Sequence, residues 1–321
     1  MKAVYLEKDA VNPGDVSFQP LCDVVPDTTF YDNTDENDKW AKLEGAEIVF
    51  TNKVVMDEKV FEKFPMIRYI GVCATGYNVV DTKAARARGI TVTNVPAYST
   101  ESVAQHTFAL LLEIASMPGI HDRSVKAGDW VKSKTFCYWK DTVMELSGKT
   151  MGIFGFGNIG KRVAQIANAF GMNVLVYTAH PDKYKNHASD RLKFVDCKTL
   201  YAESDVISFH CPQTEETAGI INSENINKMK QGVIIINVSR GGLANEAELA
   251  IELERGRVRA YAADVVKSEP MAADNPLLKA PNTIITPHIA WASREARMRL
   301  IDVIAGNVDG WLKGKSVNVV D

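Results

Sequence analysis

A chain of 321 residues amounts to roughly two domains at about 150 residues each. With 37 basic against 40 acidic side chains, its net charge of -3 excludes a global basic field for nucleic acid or anionic lipid. Apolar runs such as Val233–Ile236 fall far short of the ~20 residues of a membrane span, and five scattered cysteines without a CxxC pair exclude zinc-finger and disulfide scaffolds.

Those cysteines (Cys22, Cys73, Cys137, Cys197 and Cys211) read as reduced thiols, and no metal site is expected. The N-terminus meets Glu7 too soon for a secretion signal, which sets the expectation of a cytoplasmic protein.

The first third alternates β-branched runs with helical spacing. Strands are predicted at residues 3–6, 46–51, 67–72 and 90–95, without period-two alternation, as for strands buried on both faces. Helices fall between them at 57–64 and 81–88, ending near Pro65 and Gly89. The pattern is βαβ and implies a parallel sheet. Ser99 or Thr100 can cap a long helix that runs to about Met117, where Pro118-Gly119 stops it. Residues 126–145 are aromatic-rich and weakly periodic and read as an extended arm. Strands resume at 150–154, 173–177, 205–210, 233–238, 260–265 and 283–286. A final amphipathic helix, 293–310, with Met298, Ile301, Val303 and Ile304 apolar, suits packing back onto the first domain.

Gly155-Phe156-Gly157-Asn158-Ile159-Gly160 is a GxGxxG motif between a strand and a helix. Gly155 makes the tight turn, Gly157 lets a pyrophosphate approach the backbone, and Gly160 allows close helix–sheet packing. Asn158 and Ile159 open the helix whose N-terminus would face the phosphates. Thr178 stands where an acidic residue would hold the adenosine ribose. NAD with relaxed discrimination is the first expectation, and NADP the second.

Ligands of open α/β sheets sit at the carboxyl ends of the strands. Those ends carry Thr178, His210-Cys211-Pro212, Ser239-Arg240-Gly241-Gly242, Asp264 and Pro287-His288. Arg240 between small residues offers a fork for a carboxylate, although an arginine alone more often makes a surface ion pair. His288 is a candidate proton donor, and Glu269 a candidate to fix its tautomer and raise its pKa.

In this order, GFGNIG, NVSRGG, Asp264…Glu269-Pro270 and TPHIAW resemble the D-isomer-specific 2-hydroxyacid dehydrogenase family. The stretches 74–81, 94–99 and 102–107, with Trp291 after His288-Ile289-Ala290, are most similar to its glycerate dehydrogenase (hydroxypyruvate reductase) branch. The resemblance implies two doubly wound parallel-sheet α/β domains. A Rossmann cofactor domain (99–288) would be inserted in a flavodoxin-like substrate domain (1–98 plus 289–321). It implies that Arg240 binds the carboxylate and carbonyl of a small 2-oxo acid, that His288 protonates the carbonyl oxygen, and that Glu269 orients His288. The N–H groups of Thr75 and Gly76 would take the substrate carboxylate, with Trp291 among the substrate residues. Asp264 would face the nicotinamide carboxamide, and Thr107, Cys211, Pro212 and Val238 would line the cofactor.

Within the family, glyoxylate and D-lactate type reductases are the alternatives. The short chain after His288 leaves no room for a regulatory domain of the phosphoglycerate dehydrogenase kind, and Glu269 argues against a formate dehydrogenase. A different class is a dinucleotide-sensing protein like the corepressors that share the fold. A homodimer is implied by resemblance, with the arm Phe136-Cys137-Tyr138-Trp139 a candidate to reach the neighbouring subunit.

Overall fold

A computed structural model describes residues 1–320, and the chain divides into two compact units, Met1–Ser99 with Trp291–Asp321, and Thr100–Ala290. The first unit is a five-stranded parallel sheet, β1 (Ala3–Tyr5), β2 (Thr28–Phe30), β3 (Ile48–Thr51), β4 (Tyr69–Val72) and β5 (Thr91–Thr93), in the order β2-β1-β3-β4-β5. Helices α1 (Lys8–Val11), α2 (Gln19–Val24), α3 (Lys39–Lys42), α4 (Glu58–Lys63) and α5 (Thr82–Ala87) connect the strands. Asp57 and Asp81 cap α4 and α5, accepting from Val60 N and Ala84 N. Both faces of the sheet are buried. Val4, Val49, Ile70 and Val92 pack with Val60 and Phe61, whereas Tyr5, Ile48, Phe50 and Tyr69 pack with Leu21 and the C-terminal helix, Arg294–Leu312. That double burial erases the period-two signal in the sequence.

The C-terminal helix buries Leu300, Ile301, Ile304 and Val308, each contributing about 1.5–3 kcal/mol of transfer free energy. Met298 instead stays exposed, at the margin of the buried stripe. Arg297, only 7% exposed, donates to both carboxylate oxygens of Asp15 at 2.5 and 2.7 Å and holds that carboxyl below its usual range.

The second unit opens with α6 (Thr100–Ser116) and α7 (Pro118–Lys126). Pro118 ends the first helix as expected from sequence but also starts another, because a proline at the first helical position loses no hydrogen bond. Residues 127–149 contain no helix or strand. Seven parallel strands follow: β6 (Thr150–Phe154), β7 (Asn173–Tyr177), β8 (Leu192–Phe194), β9 (Val206–Phe209), β10 (Val233–Asn237), β11 (Val258–Ala263) and β12 (Thr283–Ile285). Their order, β12-β11-β10-β9-β6-β7-β8, reverses direction between β6 and β9. The accompanying helices are α8 (Asn158–Ala169), α9 (Cys197–Glu203), α10 (Ser223–Ile226) and α11 (Glu246–Glu254). Two edge strands, β2 and β8, were not expected from sequence; each is three residues long and only partly buried. No helix is long and apolar enough to cross a membrane.

The carboxyl edge of the first sheet is tied by one buried carboxylate. Glu7, 6% exposed, accepts from Thr51 Oγ1 (3.0 Å) and from the N–H groups of Asn52 (2.9 Å), Lys53 (2.7 Å) and Val54 (3.0 Å). Replacing it by alanine strands four donors in a dry site. The Glu7→Ala variant should lose about 3 kcal/mol of stability in urea unfolding, well beyond a surface substitution. An unchanged midpoint would mean that the 51–54 loop holds itself.

Candidate active site

The glycine loop lies where the sheet order reverses, the place at which open α/β sheets take ligands. Gly155 has φ +99°, and a Cβ there would stand 2.8 Å from the His210 carbonyl and the Cys211 nitrogen, on the neighbouring strand end. A Cβ at Gly160 would meet the Gly155 oxygen at 2.2 Å, so the helix packs on the turn itself. At Gly157 a Cβ would meet nothing within 4 Å. No side chain caps the N-terminus of α8, which leaves the N–H groups of Asn158, Ile159 and Gly160 without the partners that helix geometry denies them. A cradle open at Gly157 and rich in N–H donors fits a dinucleotide pyrophosphate.

Thr178 follows β7 half-buried, its Oγ1 accepting from His180 N at 3.4 Å, and no carboxylate stands there. Lys161 and Lys183 lie 4.7 and 5.7 Å from the Tyr184 ring, and neither makes an ion pair among the described residues. After β9, burial pushes His210 down to about 3 and the Cys211 thiol up to about 11, so both are neutral at pH 7. His210 Nε2 meets Ser208 Oγ at 2.8 Å, while its buried Nδ1 has no partner among the described residues. Pro212 is exposed and Val238 is 8% exposed. Thr107 is wholly buried, its hydroxyl donating to the Val103 carbonyl at 2.8 Å.

After β10, the buried Asn237 organises the turn that presents Arg240. Its Oδ1 accepts from Ser239 N at 3.1 Å, and its Nδ2 donates to the Arg240 carbonyl at 2.9 Å. The guanidinium is exposed, with one donor on the Ser239 carbonyl at 2.8 Å. Gly241 packs so closely that a Cβ would sit 1.9 Å from the Val266 carbonyl carbon. Only glycine fits, and the Arg240 turn is thereby locked to the loop that carries Glu269.

Glu269 Oε2 lies 2.7 Å from His288 Nδ1, and its Oε1 accepts from Val266 N at 3.2 Å. A carboxylate is acceptor-only, so Nδ1 carries the proton and Nε2 is left for a ligand. Glu246 steadies the same loop, accepting from Lys267 N and Asn275 Nδ2, both at 2.8 Å. His288 has φ +57°, a conformation costing about 1–3 kcal/mol that its surroundings must impose. Asp264 supplies much of that constraint. Its backbone oxygen accepts from His288 N at 2.9 Å. Its carboxylate, 1% exposed, accepts from Ile289 N (2.8 Å), Ala290 N (2.7 Å) and Thr286 Oγ1 (2.6 Å). Sequence reasoning placed Asp264 and Thr107 toward the cofactor; the structure gives both side chains internal partners.

In the first unit, the Thr75 hydroxyl donates to the Val95 carbonyl at 2.8 Å, and the Thr75 carbonyl accepts from Asn94 Nδ2 at 2.7 Å. The N–H groups of Thr75 and Gly76 make no hydrogen bond among the described residues. Trp291 meets Tyr98 edge-on at 6.3 Å. Sequence reasoning missed Glu246 and Thr286, whose partners lie beyond any local motif, and the role of Asn237, whose partners Ser239 and Arg240 lie in its own turn. Among the described residues, no group of three or more His, Cys, Asp or Glu side chains is arranged to hold a metal.

Residues 108–290 match the family model of the D-isomer specific 2-hydroxyacid dehydrogenase NAD-binding domain. The chain is 47% identical to a hydroxypyruvate reductase of Blautia hydrogenotrophica over all of both chains. It is 41% identical to a glycerate dehydrogenase of Methylorubrum extorquens over 87% of each. Among solved structures, D-lactate dehydrogenase from Aquifex aeolicus, complexed with NAD and lactic acid, superposes with a TM-score of 0.82 at 28% identity, covering 98% of this chain and 96% of that one. The protein belongs to the D-isomer-specific 2-hydroxyacid dehydrogenase family.

Proposed function

We propose that this enzyme reduces hydroxypyruvate to D-glycerate with a nicotinamide dinucleotide, as a glycerate dehydrogenase. The carrying observation is the 2.7 Å contact between Glu269 and His288 Nδ1, which leaves Nε2 as the proton-delivering atom at the end of the sheet. The bound cofactor supplies the hydride. Arg240 meets the 2-oxo acid through its guanidinium fork, and the free N–H groups of Thr75 and Gly76 take the carboxylate. His288 Nε2 gives its proton to the carbonyl oxygen while Glu269 stabilises the imidazolium before transfer. The full-length relation to a hydroxypyruvate reductase supports this substrate over glyoxylate or pyruvate.

Against NADH, a panel of hydroxypyruvate, glyoxylate, pyruvate and phenylpyruvate should show the highest kcat/KM for hydroxypyruvate. His288→Ala should cut kcat by roughly 10²–10⁴ while leaving NADH affinity within about threefold. Undiminished turnover in that variant would overturn the role of His288.

For the cofactor we propose NAD with relaxed discrimination, because Thr178 neither repels a 2′-phosphate nor binds the ribose as a carboxylate does. Lys161 and Lys183, which make no ion pair among the described residues, give a 2′-phosphate something to meet. Thr178→Asp should lower kcat/KM for NADPH at least about tenfold relative to NADH. An unaltered ratio would place ribose recognition elsewhere.

We also propose a homodimer. Phe136 and Trp139 are 88% and 68% exposed on a segment without regular structure, a surface that a second copy would cover. Sedimentation equilibrium should return about twice the 35.4 kDa chain mass, and Phe136→Ser with Trp139→Ser should move the mass toward the monomer. A monomer in the unmodified protein would refute this.

A further inference from the structure

One histidine near the proposed proton donor has no role in the chemistry above. His106 projects from α6 with its side chain 19% exposed, and its Nε2 lies 2.9 Å from Thr286 Oγ1 and 3.6 Å from Asp264 Oδ1. Thr286 has one hydroxyl proton. Three acceptors could take it, the Asp264 carboxylate at 2.6 Å, His106 Nε2 at 2.9 Å and the Ala263 carbonyl at 3.5 Å, and the carboxylate, the nearest and strongest acceptor, wins. With that proton committed, Oγ1 can only accept from the imidazole, so His106 must hold a proton on Nε2. The direction of donation is therefore fixed: His106 Nε2–H to Thr286, Thr286 O–H to Asp264, and Ile289 and Ala290 N–H to the same carboxylate.

We propose that His106 is a positioning residue for proton transfer. Through Thr286 it keeps the Asp264 carboxylate aimed at the Ile289 and Ala290 amides, and so keeps His288 in its positive-φ conformation, in register with Glu269. His288 is flanked by the elements of this chain of bonds, Thr286 on one side and the two anchored amides on the other. If the relay is broken, Thr286 is free to rotate toward the Ala263 carbonyl and the anchor loosens. The proton donor then samples misaligned positions, although neither the glycine loop nor Arg240 has moved.

The proposal rests on the reductase reading, and its test is arranged to separate the two. His106→Ala and Thr286→Val should each lower kcat with hydroxypyruvate roughly 10- to 100-fold, while substrate KM and NADH affinity stay within about threefold. His106→Gln, which restores an N–H donor, should recover kcat to within about threefold of the unmodified enzyme. The double variant should be no slower than the worse single one, because both break the same chain. Independently of any substrate, amide exchange in the peptide spanning residues 286–292 should quicken at least about tenfold in His106→Ala and Thr286→Val but not in His106→Gln. If hydroxypyruvate is not turned over at all, the reductase reading fails and exchange alone decides this proposal. Unchanged kcat or unchanged exchange in His106→Ala, or losses that multiply in the double variant, would overturn it. Should His106→Ala fail to fold, Thr286→Val and His106→Gln carry the same expectations.

Discussion

A carboxylate shut away from water is the constraint on which the second unit's chemistry depends. Asp264 is 1% exposed, and an ionised group in that position persists only if its oxygens are filled by donors. The donors available are Thr286 and two successive backbone amides, Ile289 and Ala290. Satisfying the charge therefore dictates the path of the chain on both sides of His288. The electrostatic need of one buried group becomes the conformation of its neighbour. A positive φ at a histidine, unfavourable in isolation, is the geometry that lets residues 286 and 289–290 reach the same carboxylate.

The two histidines of this region divide their nitrogens in opposite ways. His288 is held through Nδ1 by Glu269 and keeps Nε2 for a ligand, whereas His106 spends Nε2 on Thr286. Each assignment follows from counting protons on the partner: a carboxylate can only accept, and a threonine whose one hydroxyl proton is already donated can only accept. One ring is thereby suited to give a proton away and the other to hold a scaffold in place. The packing of Gly241 against Val266 joins Arg240 to the same scaffold without a hydrogen bond, since a side chain there would collide with the main chain.

Local motifs carried much of this into the sequence. The three glycines of the loop after β6 have different reasons to be glycine, a positive φ at 155, open space at 157 and contact at 160, and each reason was legible because it depends on neighbours a few residues away. The pairing of Glu269 with His288 was also legible, since both follow strands of one sheet and the chemistry of a proton donor requires such a partner. What stayed hidden depends on contacts across long stretches of chain. Nothing near Asp264 in the sequence announces that its carboxylate binds residues 286–290, nor near His106 that it meets a threonine 180 residues later. The short edge strands β2 and β8 were missed for a different reason. They are too brief and too exposed to build a hydrophobic pattern and form because a neighbouring strand offers its edge.

The slight negative net charge and a proposed taste for anions are compatible for a physical reason. Charge summed over the surface governs long-range attraction, while recognition at short range is set by the number of unpaired donors within a few ångströms. The donors proposed for that role are chiefly main-chain: the uncapped start of α8 in one unit, and in the other the N–H groups of Thr75 and Gly76, which make no hydrogen bond among the described residues. Arg240 is the exception, a charged fork set among small residues. Main-chain donors cannot be read from composition, because every residue but proline has one, and only the fold decides which remain unpaired. That is why composition spoke against a global basic field yet said nothing about a small anionic ligand, and why Thr178 matters more than any global charge. It lies at a strand end, where the presence or absence of a carboxylate is proposed to weigh between two cofactors that differ by a single phosphate.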